Sequence, residues 1–145
     1  MRYDLGVKSN KYVLGTFSGF LLCLFLFFIS LSENKVYSFI WIIVGLICLF
    51  FCLKTFILPK VLISYDENGI YLNHKKNLFI PYEKIGSVIS KQMRSKRSVF
   101  SFGYIYITSM DKKYKIGVID GVNYIENRIN ELKVEKMNKS KFDLE

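Results

Sequence analysis

Residues 13–32 read VLGTFSGFLLCLFLFFISLS, and residues 36–53 read VYSFIWIIVGLICLFFCL. Neither run contains a charged residue, and both are apolar around the whole helix rather than along one stripe. A bilayer core about 30 Å thick needs roughly 20 apolar helical residues, whereas a helix buried in a soluble protein normally keeps a polar face. The sequence therefore predicts two transmembrane helices, over about 13–32 and 36–58.

Two other interpretations of these runs fit less well. A chain of 145 residues has too little other material to cover two such helices in a soluble core. A cleaved signal sequence has an apolar stretch of about 7–15 residues and a small-x-small cleavage site, whereas the first run ends FFISLS. We therefore expect both helices to be retained.

The linker between the runs, ENK, is short enough to force an antiparallel hairpin, which puts both ends of the hairpin on one side. Arg2, Lys8 and Lys11 precede the first run and Lys60 follows the second, while the linker contributes only Lys35. Basic residues concentrate on the cytoplasmic side of membrane proteins. The sequence therefore predicts a multi-pass plasma-membrane protein with a hairpin domain over 1–59 and both termini in the cytoplasm.

Small residues inside the runs predict how the two helices pack. Gly15 and Gly19 form a small-xxx-small pattern, which lets helix backbones approach closely, and Gly45 offers a similar notch on the second run. We expect these glycines to pack within the hairpin. All three cysteines also lie in the runs: Cys23, Cys48 and Cys52. With no histidine near them they are interpreted as small apolar residues, so no metal or other cofactor is expected.

After Pro59 the pattern changes to short alternating segments separated by polar turns. Strands are predicted over 61–65, 70–73, 78–80, 86–90, 100–108 and 114–119, rich in β-branched and aromatic residues. Apolar residues then recur at helical spacing, with Asp120 as the expected N-cap: Val122, Ile125, Ile129 and Leu132. The prediction is a small antiparallel β domain over 60–137, capped by a C-terminal helix, and a flexible tail over 138–145.

Two short motifs give this domain a resemblance. The segments 65–70 (YDENGI) and 79–85 (FIPYEKI), placed behind two apolar runs, resemble motifs of the bacterial pleckstrin-homology-like (PH-like) membrane proteins, with Tyr82 where that family usually has Trp. The resemblance implies an α+β membrane protein whose seven-stranded, strongly bent sheet is closed by the helix. It further implies that Gly69 makes a turn, that Ile70 and Ile85 fill the core, and that Pro81 and Tyr82 turn the corner between two halves of the sheet.

The candidate binding surface is basic, in keeping with a net charge of +9. Four cations fall in a stretch with no acidic residue between Lys84 and Asp111, and three more could join them if the fold brings them close: Lys91, Arg94, Lys96, Arg97, Lys112, Lys113 and Lys115. Basic residues facing a cytoplasmic leaflet are attracted to anionic lipid by about 1 kcal/mol each. An ordinary solvated loop in a basic protein explains the same pattern.

Four aromatic residues adjoin the basic stretch and suggest stacking against nucleic-acid bases: Phe100, Phe102, Tyr104 and Tyr106. We expect strand alternation to place half of them in the core. That expectation and the membrane anchor argue against nucleic acid as a partner.

Nothing in the chain predicts catalysis. His74 is the only histidine and falls in a predicted turn, and no metalloprotease motif, phosphate loop or CxxC pair is present. The sequence favours a membrane-anchored, non-enzymatic PH-like module at the cytoplasmic face, which contacts anionic lipid head groups or a membrane protein partner. Two alternatives stay open: an envelope-stress or bacteriocin self-protection protein, as the resemblance implies, and a small subunit of a larger membrane complex.

Overall fold

The computed structural model describes residues 2–32, 35–74, 77–110 and 112–142, with no side-chain description beyond residue 139. The chain is an α+β protein with two long apolar helices, two antiparallel sheets and a C-terminal helix. It divides into two compact units, one formed by residues 10–58 and the other by 1–9 together with 59–145.

The first unit is a helical hairpin. Helix α1 spans Asn10–Ser30 and helix α2 spans Lys35–Phe56, within a few residues of the predicted runs. Both helices are long and apolar enough to cross a membrane, and only 11% and 17% of their most apolar 18-residue windows are buried. Most of their Leu, Ile and Phe side chains therefore point away from the partner helix.

Within its described residues, the second unit holds seven strands in two sheets. Sheet A has the order β1-β2-β3-β4, and sheet B has the order β5-β6-β7, all antiparallel. The strands are β1 Tyr3–Val7, β2 Val61–Tyr65, β3 Gly69–Leu72, β4 Leu78–Pro81, β5 Ile85–Arg94, β6 Val99–Ser109 and β7 Lys112–Asp120. The six strands predicted from the sequence are confirmed, and β5 extends four residues beyond its predicted end.

Strand β1 was not predicted, and it corrects the domain boundary. Residues 1–59 were assigned to the hairpin, but Tyr3 pairs with Tyr65 and Val7 with Val61, so β1 is an edge strand of sheet A. The hairpin is thus an insertion between β1 and β2 of one domain. The chain leaves that domain after Ser9. The Ser9 N–H donates to the Val118 carbonyl at 2.9 Å, and the N–H of the preceding residue, Lys8, donates to the Lys60 carbonyl.

Helix α3, Val122–Phe142, packs one apolar stripe on the sheets. Val122, Ile125 and Ile129 are buried as predicted, and Leu132 is half-buried. The predicted N-cap, Asp120, is wrong by one residue. The helix begins at Val122, so Gly121, with φ 65°, occupies the N-cap position. It runs to Phe142, five residues past the predicted end at 137.

Pro81 and Tyr82 lie at the corner between the sheets, as expected, whereas Gly69 is the first residue of β3 and not part of the turn before it. A 3-10 turn, Tyr82–Lys84, follows Pro81 and joins β4 of sheet A to β5 of sheet B. Ile70 and Ile85 are fully buried. Gly69 is needed for space and not for a positive φ: a Cβ there would clash with the Ile80 carbonyl and lie 2.9 Å from the Pro81 Cα.

We therefore expect Gly69→Ala to destabilise the β domain by about 1–3 kcal/mol, because the added methyl group would overlap the backbone of β4, which pairs with β3. Gly86→Ala is the matched control, since its Cβ would meet only the Thr108 carbonyl oxygen at an ordinary 3.4 Å. Thermal unfolding of the full chain in detergent, followed by circular dichroism, measures both. Equal melting temperatures for the two variants would contradict the steric explanation.

Candidate anionic-ligand surface

Three of the predicted site residues lie together at the end of a β-hairpin, here called the basic tip: Arg94, Lys96 and Arg97. Lys91 lies further down the same hairpin, where it pairs with Tyr104. The turn is closed by hydrogen bonds between the backbones of Ser95 and Ser98, and Arg94 pairs with Val99 across it. All four basic side chains are exposed. The tip extends past the third strand of sheet B, because β7 pairs with β6 no further than Phe102.

Apolar side chains accompany the cations at this end. Val99 and Phe100 are 60% and 40% exposed, and the ring of Phe100 stacks on Phe102 with centroids 5.1 Å apart. Cations next to exposed aliphatic and aromatic groups suit the boundary between lipid head groups and acyl chains. The tip is therefore amphipathic as well as basic.

The fold does not gather all seven predicted basic residues into one patch. Lys112 and Lys113 pair with Ser109 and Thr108, at the opposite end of β6 from Val99. Nine residues of strand at about 3.3 Å each separate Thr108 from Val99 by roughly 30 Å. The sequence could not show this separation, because it depends on the register between β6 and β7, which places Lys112 and Lys113 at the end of β6 away from the tip.

Lys115 lies between these two groups, on a face of sheet B lined with aromatic rings. Its Nζ sits 4.3 Å from the centre of the Tyr104 ring, and the Lys113 Nζ sits 5.0 Å from that of Tyr106. These contacts are cation–π interactions. Tyr104 can lie flat because Gly117 faces it, where any Cβ would clash with the ring.

The prediction that half of the four aromatic residues would be buried in the core is wrong. Phe100, Phe102, Tyr104 and Tyr106 are spaced by two, so they share one face of β6. The residues that alternate with them from Gly103 onward, including Ile105 and Ile107, form the buried face. Counting the period along residues 100–107 would have shown this arrangement from the sequence alone.

A second polar cluster surrounds Asp66, which the sequence marked only as a turn residue. Its Oδ1 accepts hydrogen bonds from the N–H groups of Asn68 and Gly69 at 2.8 and 3.0 Å, and its Oδ2 accepts one from the Tyr71 hydroxyl at 2.6 Å. Burial works against the charged carboxylate, but these hydrogen bonds outweigh it and hold the pKa of Asp66 below its ordinary value.

The same cluster fixes the corner between the sheets. The Tyr82 hydroxyl donates to the Asp66 carbonyl at 2.9 Å, and burial, reinforced by the nearby Asp66 charge, raises the pKa of Tyr82 to about 12. The Arg2 guanidinium lies 3.7 Å from the centre of the Tyr71 ring. A cleft of about 250 Å³ opens beside Tyr3, Tyr65 and Tyr82. Because the carboxylate of Asp66 is occupied by three donors within the protein, we interpret the cluster as a structural one.

Within the described residues, no group of His, Cys, Asp and Glu side chains is arranged to hold a metal ion. His74 lies half-buried just after β3. No protein-family model, curated protein or solved structure is significantly similar to this chain. The basic tip is therefore interpreted from its own residues and their position in the fold.

The Asp66 cluster makes a prediction about pH. Because the folded-state pKa of Asp66 is lowered, the carboxylate's contribution to stability is fully present above its unfolded pKa of about 3.9 and is lost as the pH falls below that value. We expect Asp66→Asn to lower stability at neutral pH by about 1–3 kcal/mol, since hydrogen bonds to a charged acceptor are lost.

Melting temperatures of the full chain in detergent, measured from neutral pH down to about pH 3, distinguish this from a general effect of charge. The variant should show a weaker loss of stability with acid than the native protein. Glu67→Gln removes the same charge from the exposed neighbouring position and should leave the pH profile unchanged. Parallel acid profiles for Asp66→Asn and the native protein would contradict the role of the carboxylate.

Proposed function

We propose that this protein is a membrane-anchored, non-enzymatic PH-like module whose basic tip binds anionic lipid head groups at the cytoplasmic leaflet. The observation that carries the proposal is the composition of the tip at the end of sheet B. Three exposed cations, Arg94, Lys96 and Arg97, lie there with the exposed apolar side chains of Val99 and Phe100.

The exposure of the apolar helices supports membrane insertion. Seven large apolar side chains of α1 alone are 46–69% exposed: Leu14, Phe17, Leu21, Leu22, Phe25, Phe28 and Ile29. Leaving a Leu, Ile or Phe side chain in water costs about 1.5–3 kcal/mol relative to burying it. A lipid environment removes that cost, and a helix hydrogen-bonds its interior backbone groups to one another, as a bilayer requires.

The insertion of the hairpin between β1 and β2 supports one aspect of the proposed topology. The chain leaves the β domain after Ser9 and returns to it at Pro59, so both ends of the hairpin join the same folded unit. Both ends must then lie on one side of the membrane. The basic flanks, including Lys11 and Lys60, favour the cytoplasm as that side.

The arrangement of strands supports the proposed PH-like fold. In the part of the chain that the structure describes, seven antiparallel strands are joined at the Tyr82–Lys84 corner and followed by one helix, which matches the number of strands and the closing helix that the resemblance implies.

We expect Lys96→Glu/Arg97→Glu to weaken docking of the tip on anionic vesicles. A dye on Ser98→Cys, in a chain whose three native cysteines are replaced by Ala, should be quenched by spin-labelled lipid more strongly when the vesicles contain anionic lipid. Each basic residue near the surface contributes about 1 kcal/mol, so the charge reversal should weaken docking on the order of tenfold or more.

Lys112→Glu/Lys113→Glu makes the same change in net charge at the far end of sheet B and is the matched control. It should leave the quenching nearly unchanged. High salt should reduce the quenching of the native tip, because exposed charges are screened over about 8–10 Å. Equal loss in both double variants would mean that only the total charge matters, and the proposed role of the tip would be wrong.

The proposed topology is tested with a membrane-impermeant maleimide and the same cysteine-free chain. Ser32→Cys, beside the hairpin loop, should react in intact cells, and Ser98→Cys, in the tip turn, should react only after lysis. Both side chains are exposed in the structure, so reactivity reports on the membrane barrier. Labelling of Ser98→Cys in intact cells would place the domain outside and contradict the cytoplasmic assignment.

A further inference from the structure

The two helices of the hairpin contact each other through small residues. Ser30 and Ser38 share a buried hydrogen bond of 3.0 Å, and Gly45 lies against Cys23. Gly19 faces the Cys48 sulfur, whereas Gly15 is exposed and a Cβ on it would meet nothing within 4 Å. The predicted small-xxx-small contact is therefore made by Gly19 and not by Gly15.

A groove opens between the two helices, at the end of the hairpin that carries the start of α1 and the end of α2. Its volume is about 640 Å³. Apart from Asn10 and Lys11 at one end, its lining is hydrocarbon or thiol: Val13, Leu14, Phe17, Leu49, Cys52, Leu53 and Phe56. The groove is thus a long apolar surface with one amide and one ammonium at its mouth.

We propose that this groove binds one anionic phospholipid, with an acyl chain between the helices and the phosphate beside Lys11. The proposal rests on the membrane insertion proposed above, but not on the basic tip. The charge of Lys11 complements a phosphate, and the mouth belongs at the head-group level because α1 begins there at Asn10. The seven residues that line the rest of the groove offer no polar group, so a soluble polar ligand would lose its hydrogen bonds with water.

A third helix is the main competing occupant, and the lining argues against it. Helices associate in membranes through Gly, Ala, Ser and Thr, which let the backbones approach. The groove contains none of these residues and is lined mainly by bulky Leu and Phe side chains. A flexible acyl chain can fill the irregular space between such side chains, whereas a rigid helix cannot approach closely.

The test measures the lipid that stays on the protein. The full chain is reconstituted with equal amounts of phosphatidylglycerol and phosphatidylcholine, extracted in mild detergent and examined by native mass spectrometry. We expect one retained lipid, predominantly phosphatidylglycerol. Leu14→Trp fills the groove and should reduce lipid retention at least tenfold, while Leu22→Trp, equally lipid-facing on the same helix but outside the groove, should not.

Lys11 sets the head-group preference and has its own variants. Lys11→Glu should lower the ratio of phosphatidylglycerol to phosphatidylcholine about fivefold or more, since one basic residue near an anionic group contributes about 1 kcal/mol. Lys11→Arg should keep the ratio, which separates a charge effect from a packing effect. Helical content by circular dichroism verifies that each variant is folded.

Two results would overturn the proposal: equal lipid retention in Leu14→Trp and Leu22→Trp, or a lipid-free dimer in place of a lipid-bound monomer. The Lys96→Glu/Arg97→Glu variant should retain the lipid in full, so failure at the tip and failure at the groove are seen separately. Extraction of the protein from membranes by alkaline carbonate would instead show that the proposed membrane insertion is wrong.

Discussion

The pairing of β1 with β2 is the constraint on which the rest of the structure depends. Fifty-three residues separate the ends of these two strands, from Val7 to Val61, and the whole helical hairpin lies between them. Gly6 allows the close approach, because a Cβ there would lie 3.1 Å from the Cβ of Ile63. The bonds of Lys8 to Lys60 and of Ser9 to Val118 extend this closure to both ends of the hairpin. The hairpin is therefore inserted within the chain of the β domain, and the two are not consecutive modules.

This insertion means that the β domain includes residues from both sides of the hairpin. A fragment beginning at residue 60 would lack β1, leave the edge of β2 unpaired and expose Ile63, which is fully buried in the intact chain. Exposed strand edges promote aggregation. The insertion of the hairpin also imposes an order on folding: β1 precedes both helices in the chain, yet sheet A is complete only after β2 has followed them. Long-range pairing of this kind carries a loop-closure cost that the helical hairpin, by holding its own ends close together, can reduce.

How far the sequence predicts this molecule depends on whether the relevant signal is local. The apolar runs, the alternation of residues 100–108 and the stripe from Val122 to Ile129 are local periodic patterns, and each appears in the structure as predicted. Strand β1, with the sequence YDLGV, has no strong pattern of its own, and only its distant partner makes it a strand. The same reason explains the basic residues: composition identifies all seven, but the register of β5, β6 and β7 separates Lys112 from Arg97.

Both proposed sites bind anionic lipid, but the forces that would hold the lipid at the tip and in the groove are different. The tip has exposed cations, including two arginines that can bind a phosphate through two hydrogen bonds each, so its attraction is long-ranged and screened by salt. In the groove a single ammonium adjoins an apolar surface, where burial of an acyl chain supplies most of the binding and does not depend on ionic strength. Salt should therefore release the tip before it releases the groove lipid. The two proposals together describe a protein that keeps one lipid in place while its tip responds to the charge of the surrounding leaflet.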